Sequence, residues 1–416
     1  MKTQLAFHNL TYQSAKTLVS VGGVAFALLL VFMQLGFMGA VSHTAVNVYQ
    51  HMRFDALIRS PDYLHLYEPL EFESRWLQLA KGTPGVKNVV PMWITLHNWG
   101  SLRATTSSAA SGDGAAAVDG SFAQFLPIAV MGVRPNDDIF DLKEVQEQSH
   151  KLADTQSVLI DSATRSDYGP LDGQRFSLRD KNRESEIGGV KVKIQGVFHL
   201  GTGLAANGAT LTGVRCFQRL VPWDCEKQIS LGLVTTDGSR PVSEVLQDLR
   251  SRIAASRQGT SLKPENASEP VQVLSRNEVM QWERFRWLQQ TPIGLIFQLG
   301  VGLSLLVGAA IVYMVLATDV VDRLPEYATL LAIGYSRAYL AGIVMTQAIV
   351  LACLGFLAAW LASELLYRLT SWLSGIPIAM NASRVMLVAG LGLLMCCASG
   401  LLAMNKLWKA EPASLF

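Results

Sequence analysis

The chain of 416 residues is 50% hydrophobic and only 16% charged, against about a quarter charged in ordinary soluble domains, which argues against a simple soluble enzyme. Its 35 Lys and Arg against 33 Asp and Glu leave a net charge of +2 with no long run of either sign, so the electrostatic footprint of a nucleic-acid binder is missing.

Residues 1–16, with Lys2 and Lys16, read as an N-terminal cytoplasmic interfacial segment. Residues 17–42 then hold no Asp, Glu, Lys or Arg, and exceed the roughly 20 residues a spanning helix needs. A retained anchor and a cleaved signal peptide both stand as readings, and a length beyond the roughly 7 to 15 residues of a signal h-region favours the anchor. Gly22, Gly23, Gly36 and Gly39 suit close helix packing there.

Residues 43–290 carry 27 Lys and Arg and 28 Asp and Glu and read as a large water-facing domain. An apolar run at 55–58, a helical pattern at 71–81, the turn Gly82-Thr83-Pro84-Gly85 and a second run at 86–90 predict a β-α-β unit. Residues 101–117, rich in Ser, Thr, Ala and Gly, read as a flexible loop. Short β-rich runs at 129–133, 157–160 and 190–197, separated by Pro135, Gly169, Pro170 and Gly173, predict an inserted β-rich subdomain over about 95–228. Residues 201–213 read as another loop, either a mobile contact surface or a tolerated insertion. A strand at 229–235, a helix at 241–255 and a strand at 270–274 predict a second β-α-β unit, the two together forming one split sheet.

Cys216 and Cys225 are the domain's two cysteines, and in an oxidising compartment they can pair; two free thiols is the equal alternative, because spacing carries no geometry. Residues 264–270 read as a linker. Residues 277–290, where Trp282, Phe285 and Trp287 alternate with Arg284 and Arg286, suit a membrane boundary or a stalk that carries the next span beyond the bilayer.

Three more stretches, 288–318, 338–363 and 385–405, lack any Asp, Glu, Lys or Arg. The predicted layout is a span at 291–318, a cytoplasmic loop at 319–337, a span at 338–363, a short outer loop at 364–384, a span at 385–405 and a tail at 406–416. Four spans put both termini on one side, and Lys2, Lys16, Lys406 and Lys409 make that side the cytoplasm by the positive-inside rule. The fold class is therefore an α-helical membrane protein with four transmembrane helices and a large α+β periplasmic domain. Cys353, Cys396 and Cys397 fall in the last two spans as small packing residues.

Gly is nowhere followed by Lys, which leaves no Walker A loop, so the chain is not expected to bind or hydrolyse ATP itself. The seven His form no zinc spacing, and no GxSxG elbow occurs, so no catalytic, cofactor-binding or metal-binding residue is expected. The spans hold neutral polar groups such as Gln34, Gln298, Thr346 and Gln347, which suit helix packing rather than an ion-driven carrier. If the chain does transport work, its energy is expected to enter from another subunit through a cytoplasmic surface. The loop 319–337 offers one: Asp322 can cap a helix, Pro325 fits its first turn, Gly334 fits its end, and Tyr327, Leu330 and Leu331 repeat at i, i+3, i+4. The same pattern also suits a helix lying on lipid headgroups.

The string Glu326-Tyr-Ala-Thr-Leu-Leu-Ala-Ile-Gly334-Tyr-Ser resembles the coupling-helix motif of FtsX/MacB-type (type VII) ABC permeases, with Leu331 where that family carries a basic residue. The C-terminal Ala410-Glu-Pro-Ala-Ser-Leu415 is similar to the family's terminal motif, and Phe32-Met-Gln-Leu-Gly-Phe37 with Leu324-Pro-Glu-Tyr-Ala-Thr329 resembles the DevC branch. The resemblance implies a homodimeric permease subunit of the bacterial inner membrane, its outer domain made of a split β-α-β porter-like part and the β-rich insertion. It implies ATP and Mg bound by a separate DevA-like ATPase, a DevB-like membrane-fusion adaptor and a TolC-like outer-membrane channel. The function implied is transmission of ATP-driven motion in a tripartite exporter of a lipid, glycolipid or other hydrophobic substrate. Glu326, Tyr327, Leu330, Leu331 and Ala332 would touch the ATPase, and Gly334 would give the helix its shape. An FtsX-like signalling protein that controls a periplasmic hydrolase, or a lipoprotein-releasing permease, would share this architecture.

Overall fold

The computed structural model describes residues 14–100, 126–162, 164, 183–201, 208–258, 270–322, 324–374 and 378–409. Loop 101–117 and the terminal motif 410–415 lie outside the described residues, as do most of the N-terminal segment 1–16 and of the linker 264–270. The chain divides into two units, Thr44–Arg286 and a helical one made of Met1–His43 with Trp287–Phe416.

Helix α1 (Ser14–His51) is continuous across the first division point. At 1.5 Å per residue its 38 residues extend ~57 Å, well beyond a hydrocarbon core of about 30 Å. The helix therefore continues to His51, past the predicted end at 42, because Val46, Val48 and Tyr49 are buried in the domain and keep its last turns apolar.

The domain contains β1 (Ala56–Arg59), β2 (Phe72–Glu73), α2 (Arg75–Lys81), β3 (Val86–Gly100), β4 (Leu126–Val133), α3 (Lys143–Gln148), β5 (Ser157–Asp161), β6 (Arg183–Ile187), β7 (Val190–Phe198), β8 (Ala209–Gly213), α4 (Val214–Phe217), β9 (Gln228–Ile229), β10 (Leu231–Thr236), α5 (Val242–Gln258), β11 (Gln272–Ser275) and α6 (Arg276–Phe285). Nine strands form one sheet in the order β11-β1-β10-β3-β4-β8-β5-β7-β6. Strand β1 runs antiparallel to both β10 and β11, and β10 antiparallel to β3, so the units β1-α2-β3 and β10-α5-β11 interleave their strands. That is the split sheet expected from the two β-α-β patterns.

The β-rich insertion is joined to this sheet and does not form one of its own. Strand β3 pairs with β10 along Val86–Met92 and with β4 along Trp93–Trp99, so one strand of 15 residues carries two partners in succession. Successive side chains on a strand face opposite ways, and here both faces are covered: Trp93, Val130, Val158 and Ile160 enter one core, and Met92, Ile94, Met131 and Leu159 enter the other. Residues 209–213 were expected in a loop and instead form β8 between β4 and β5. The sequence Ala-Thr-Leu-Thr-Gly reads as polar, but the buried hydroxyls of Thr210 and Thr212 donate to Ala129 O at 3.3 Å and Ser157 O at 3.0 Å, which offsets their desolvation.

In the other unit, α7 (Pro292–Asp322), α8 (Leu324–Ala332), α9 (Arg337–Ser374) and α10 (Ala382–Lys409) follow. Together with α1, the helices α7, α9 and α10 make four that are long and apolar enough to cross a membrane. Their shared core includes Val24, Leu28, Phe32, Val312, Leu340, Val344 and Met395. Close approach explains Gly36: a Cβ there would fall 2.6 Å from the Tyr367 ring, whose hydroxyl donates to Phe32 O. Two of the neutral polar groups bond to backbone carbonyls within this unit. Thr346 bonds its own helix at Gly342 O, at 2.7 Å, and Ser399 reaches Ala309 O on α7 at 3.0 Å.

Candidate functional site

Two places combine exposed or charged groups with a connection between long helices. The first is α8, in the loop between α7 and α9. Its end follows the left-handed glycine pattern: Gly334 has φ +103°, Tyr335 N–H donates to Leu330 O at 3.0 Å, and Ile333 N–H donates to Thr329 O at 3.0 Å. Only glycine takes that φ without strain, and open space surrounds its Cα, so the requirement is conformational alone. Gly334→Ala is expected to weaken the end of α8 by about 1 kcal/mol, seen as faster amide exchange at Ile333 and Tyr335, with Gly334→Asn milder.

The residues expected to touch an ATPase separate into two sets. Glu326 is exposed, with Pro325 and Thr329. Tyr327 is only 2% exposed and belongs to the helical core with Leu316, Val320 and Leu340, and Leu330 packs partly against the same core. The i, i+3 apolar repeat thus marks the stripe that α8 buries in its own bundle, which is what an amphipathic repeat reports for a helix docked on its own protein. The structure gives Tyr327 and Leu330 an anchoring position in the helical core. Leu331 and Ala332 belong to α8, and their side chains lie outside what is described.

The solvent side contains two residues outside the expected contact set. Ile333 is 70% exposed, and Tyr335, also exposed, meets Tyr339 in a tilted ring contact with centroids 4.8 Å apart. A signal was present, since Ile333 and Tyr335 flank the capping glycine, where a terminated helix turns its apolar stripe away from the core.

The second place lies wholly within the domain, where α1 ends and α6 begins. Arg276 donates to the carbonyls of Tyr49 at 3.2 Å, Gln50 at 2.9 Å, Met52 at 2.8 Å and Phe54 at 3.2 Å, joining the last turn of α1 to the segment that follows it. Helix α6 starts on a capping box of Ser275 and Glu278, and Glu278 also pairs with Arg250 at 2.9 Å. One helical face further on, Tyr63 donates to Glu283, Tyr49 donates to it at 3.4 Å, and the two hydroxyls stand 2.6 Å apart. Arg59 lies 4.3 Å from the Tyr63 ring centre and 4.0 Å from that of Trp282, and donates to Gln272 Oε1 at 3.1 and 3.2 Å. Asn47 ties α1 to the loop after β7 through Leu200 O at 2.6 Å.

Burial pushes the Glu283 carboxyl up to about 7, although the bond from Tyr63, the Arg59 charge, the bond from Tyr49 and the Arg286 charge all pull it down. Burial likewise lowers Arg59. Sequence reading placed Trp282 and Arg286 on a boundary stalk and passed over Glu283, Arg276, Arg59 and Tyr63, whose association no local pattern announces.

Cys216 and Cys225 are both buried and are not joined to each other. Burial raises the Cys216 thiol and pushes that of Cys225 up to about 12, with Asp224 and Glu71 adding to the latter, so both are held as unreactive thiols. Among the described residues no three His, Cys, Asp or Glu side chains converge on a metal-sized site.

Residues 299–412 match the FtsX-like permease C-terminal family. No curated protein matches the chain. Among solved structures, the chain is similar to the extracellular domain of the noncanonic ABC-type transporter YknZ from Gram-positive bacteria, with 14% identity and a TM-score of 0.32 over 54% of this chain and 100% of that one. It is also similar to the periplasmic region of MacB from Actinobacillus actinomycetemcomitans, with 5% identity and a TM-score of 0.33 over 55% of this chain and 90% of that one.

Proposed function

With residues 299–412 forming an FtsX-like permease C-terminal domain, we propose that the chain is an FtsX/MacB-type permease, the membrane subunit of an ABC transporter. The observation that carries this reading is the family match, whose range contains α8, a capped helix with an exposed end set between two long apolar helices. In this reading the four long helices span the bacterial inner membrane, both termini are cytoplasmic, and the domain of Thr44–Arg286 is periplasmic. ATP and Mg belong to the partner ATPase.

This reading gives a working cycle. A docked ATPase displaces the exposed side of α8, at Glu326, Thr329, Ile333 and Tyr335, with Leu331 and Ala332 contributing. Tyr327 and Leu330 hold α8 to the bundle, so the displacement passes into the long helices as a rigid-body shift. From there it reaches the domain along α1 and along α7 into α6, since those are the only two chain connections. The finer reading is a homodimer with a DevA-like ATPase, a DevB-like adaptor and a TolC-like channel, exporting a lipid, glycolipid or other hydrophobic cargo.

Affinity purification of the tagged chain from membranes, with and without trapped ATP, tests this by mass spectrometry of what is recovered. An ABC ATPase with a membrane-fusion adaptor supports the exporter, an ATPase with a periplasmic hydrolase moves the reading to signalling, and neither from correctly inserted protein sinks it. Ile333→Asp is expected to cut ATPase recovery at least about tenfold with the amount of inserted protein unchanged, because a charge replaces an apolar contact at the centre of the docking face.

A further inference from the structure

Only two strands of chain leave the domain for the helical unit: α1, crossing between His43 and Thr44, and the π-helical turn Arg286–Gln290 after α6, crossing between Arg286 and Trp287. Tyr49 and Glu283 stand within two helical turns of these crossings, one on each, and they meet. Glu283 is fully buried, its Oε1 accepts from Tyr63 and Tyr49, and its Oε2 is buried without a hydrogen-bond partner, as is Nη1 of Arg59. A structural buried carboxyl normally has both oxygens satisfied, so a half-satisfied one at the joint of two connections points to a group that changes state.

We propose that Glu283 is a proton-titrated lock between the two connections: neutral, it keeps the joint of α1 and α6 dry and closed, and ionised, it draws water in and releases α6 from the end of α1. The pH on the domain's side of the membrane then tunes how tightly the two connections move together. The consequence for transport rests on the permease reading above; the lock itself does not.

The groups facing Glu283 are Tyr49 from α1, Arg59 from β1, Tyr63 from the segment after β1, and Arg286 from the π-helical turn, with His65 and Glu68 further along the Tyr63 segment and themselves in contact at 3.5 Å. Both arginines favour the ionised form, but Arg59 donates its Nε and Nη2 to Gln272 and lies over the Tyr63 and Trp282 rings, and Oε2 accepts no hydrogen bond. An ionised carboxylate that is buried with one oxygen unbonded is costly, and opening to water is its relief.

The sign follows from linkage. In the open joint the carboxyl ionises in the ordinary range at ~4.3, while in the closed joint burial pushes it up to about 7. The lock is therefore at full strength below the lower value, weakens as pH rises between the two, and levels off above the higher one. Between pH 5 and pH 8 the opening constant is expected to rise roughly seventyfold.

The test uses the full chain in lipid nanodiscs, with hydrogen exchange of peptides covering residues 44–51 and 276–285 measured from about pH 5 to pH 8 and corrected for intrinsic rates, beside an infrared titration of the carboxyl stretch. Expected are a pH-dependent loss of protection in both peptides and a carboxyl band that disappears around neutrality. E283Q should abolish the band and leave the two peptides protected at every pH. Tyr63→Phe keeps the carboxyl but loses the donor that favours its ionised form, so its midpoint should move upward, which decides the matter even if the glutamine variant folds poorly. Protection that stays flat with pH in the wild type, or that falls equally in E283Q, overturns the lock. Neither result depends on an ATPase, so failure to recover one would undo the permease reading and leave this inference standing.

Discussion

Arg276→Ala is expected to lower the stability of the domain by about 3 kcal/mol and to fray the last turns of α1, as read by thermal unfolding of the full chain in nanodiscs and by exchange over residues 44–54. The magnitude follows from the count of acceptors. One guanidinium serves the carbonyls of Tyr49, Gln50, Met52 and Phe54, and it also lies 5.0 Å from the centre of the Phe54 ring. Charge-assisted bonds of this kind contribute about 1.5 to 3 kcal/mol each in favourable cases, but the carbonyls share one donor group and water reaches part of the site, so the sum is far from additive. Arg276→Lys should recover little, since an ammonium cannot span four carbonyls set around a helix end as a planar fork does. A loss below about 1 kcal/mol for the alanine variant would show that α1 is held elsewhere, with Asn47 the next candidate.

Tyr327→Ala should have the second large effect, and it separates two roles. As an anchor, Tyr327 fills a buried position among the long helices, and removing an aromatic ring from such a position costs about 3 to 5 kcal/mol in packed cores. Exchange over Leu324–Ala332 should then rise in the chain by itself, with no partner present, and Tyr327→Phe, which keeps the ring, should stay close to wild type. As a contact only, Tyr327→Ala would leave exchange of the lone chain unchanged and lose partner recovery alone. Glu326→Lys gives the contrast: an exposed position, an unaltered lone chain and reduced recovery of the partner.

Much of this was legible in the residues. Long stretches without charge gave the four apolar helices, and the strand and helix periods around 55–90 and 229–274 gave both β-α-β units with their interleaved sheet, because each is a local pattern repeated over enough residues to be read. Gly334 was legible as a helix end because only glycine adopts its φ easily. Residues 209–213 were not legible, since two threonines satisfied by carbonyls of other strands look like loop polarity until those strands are in place. The burial of Tyr327 and Leu330 was not legible for a related reason. Tyr327, Leu330 and Leu331 form the apolar stripe, and whether such a stripe meets a partner or its own bundle depends on where the neighbouring helices stand.

The sequence by itself determined which segments are apolar enough to span and which alternate as strand, helix and strand, because burial follows a periodicity carried within each segment. The tertiary structure alone decided that β3 joins the two halves of the domain into one sheet, that α1 continues into the domain, and that its end is capped by Arg276 and tied to Glu283. Tyr49 and Tyr63 lie 234 and 220 residues from Glu283 along the chain, and a buried carboxyl at such a distance from its donors leaves no period, spacing or charge pattern behind. Its chemistry comes from water being excluded by the folded assembly around it, and that exclusion exists only once the helices and the sheet have met.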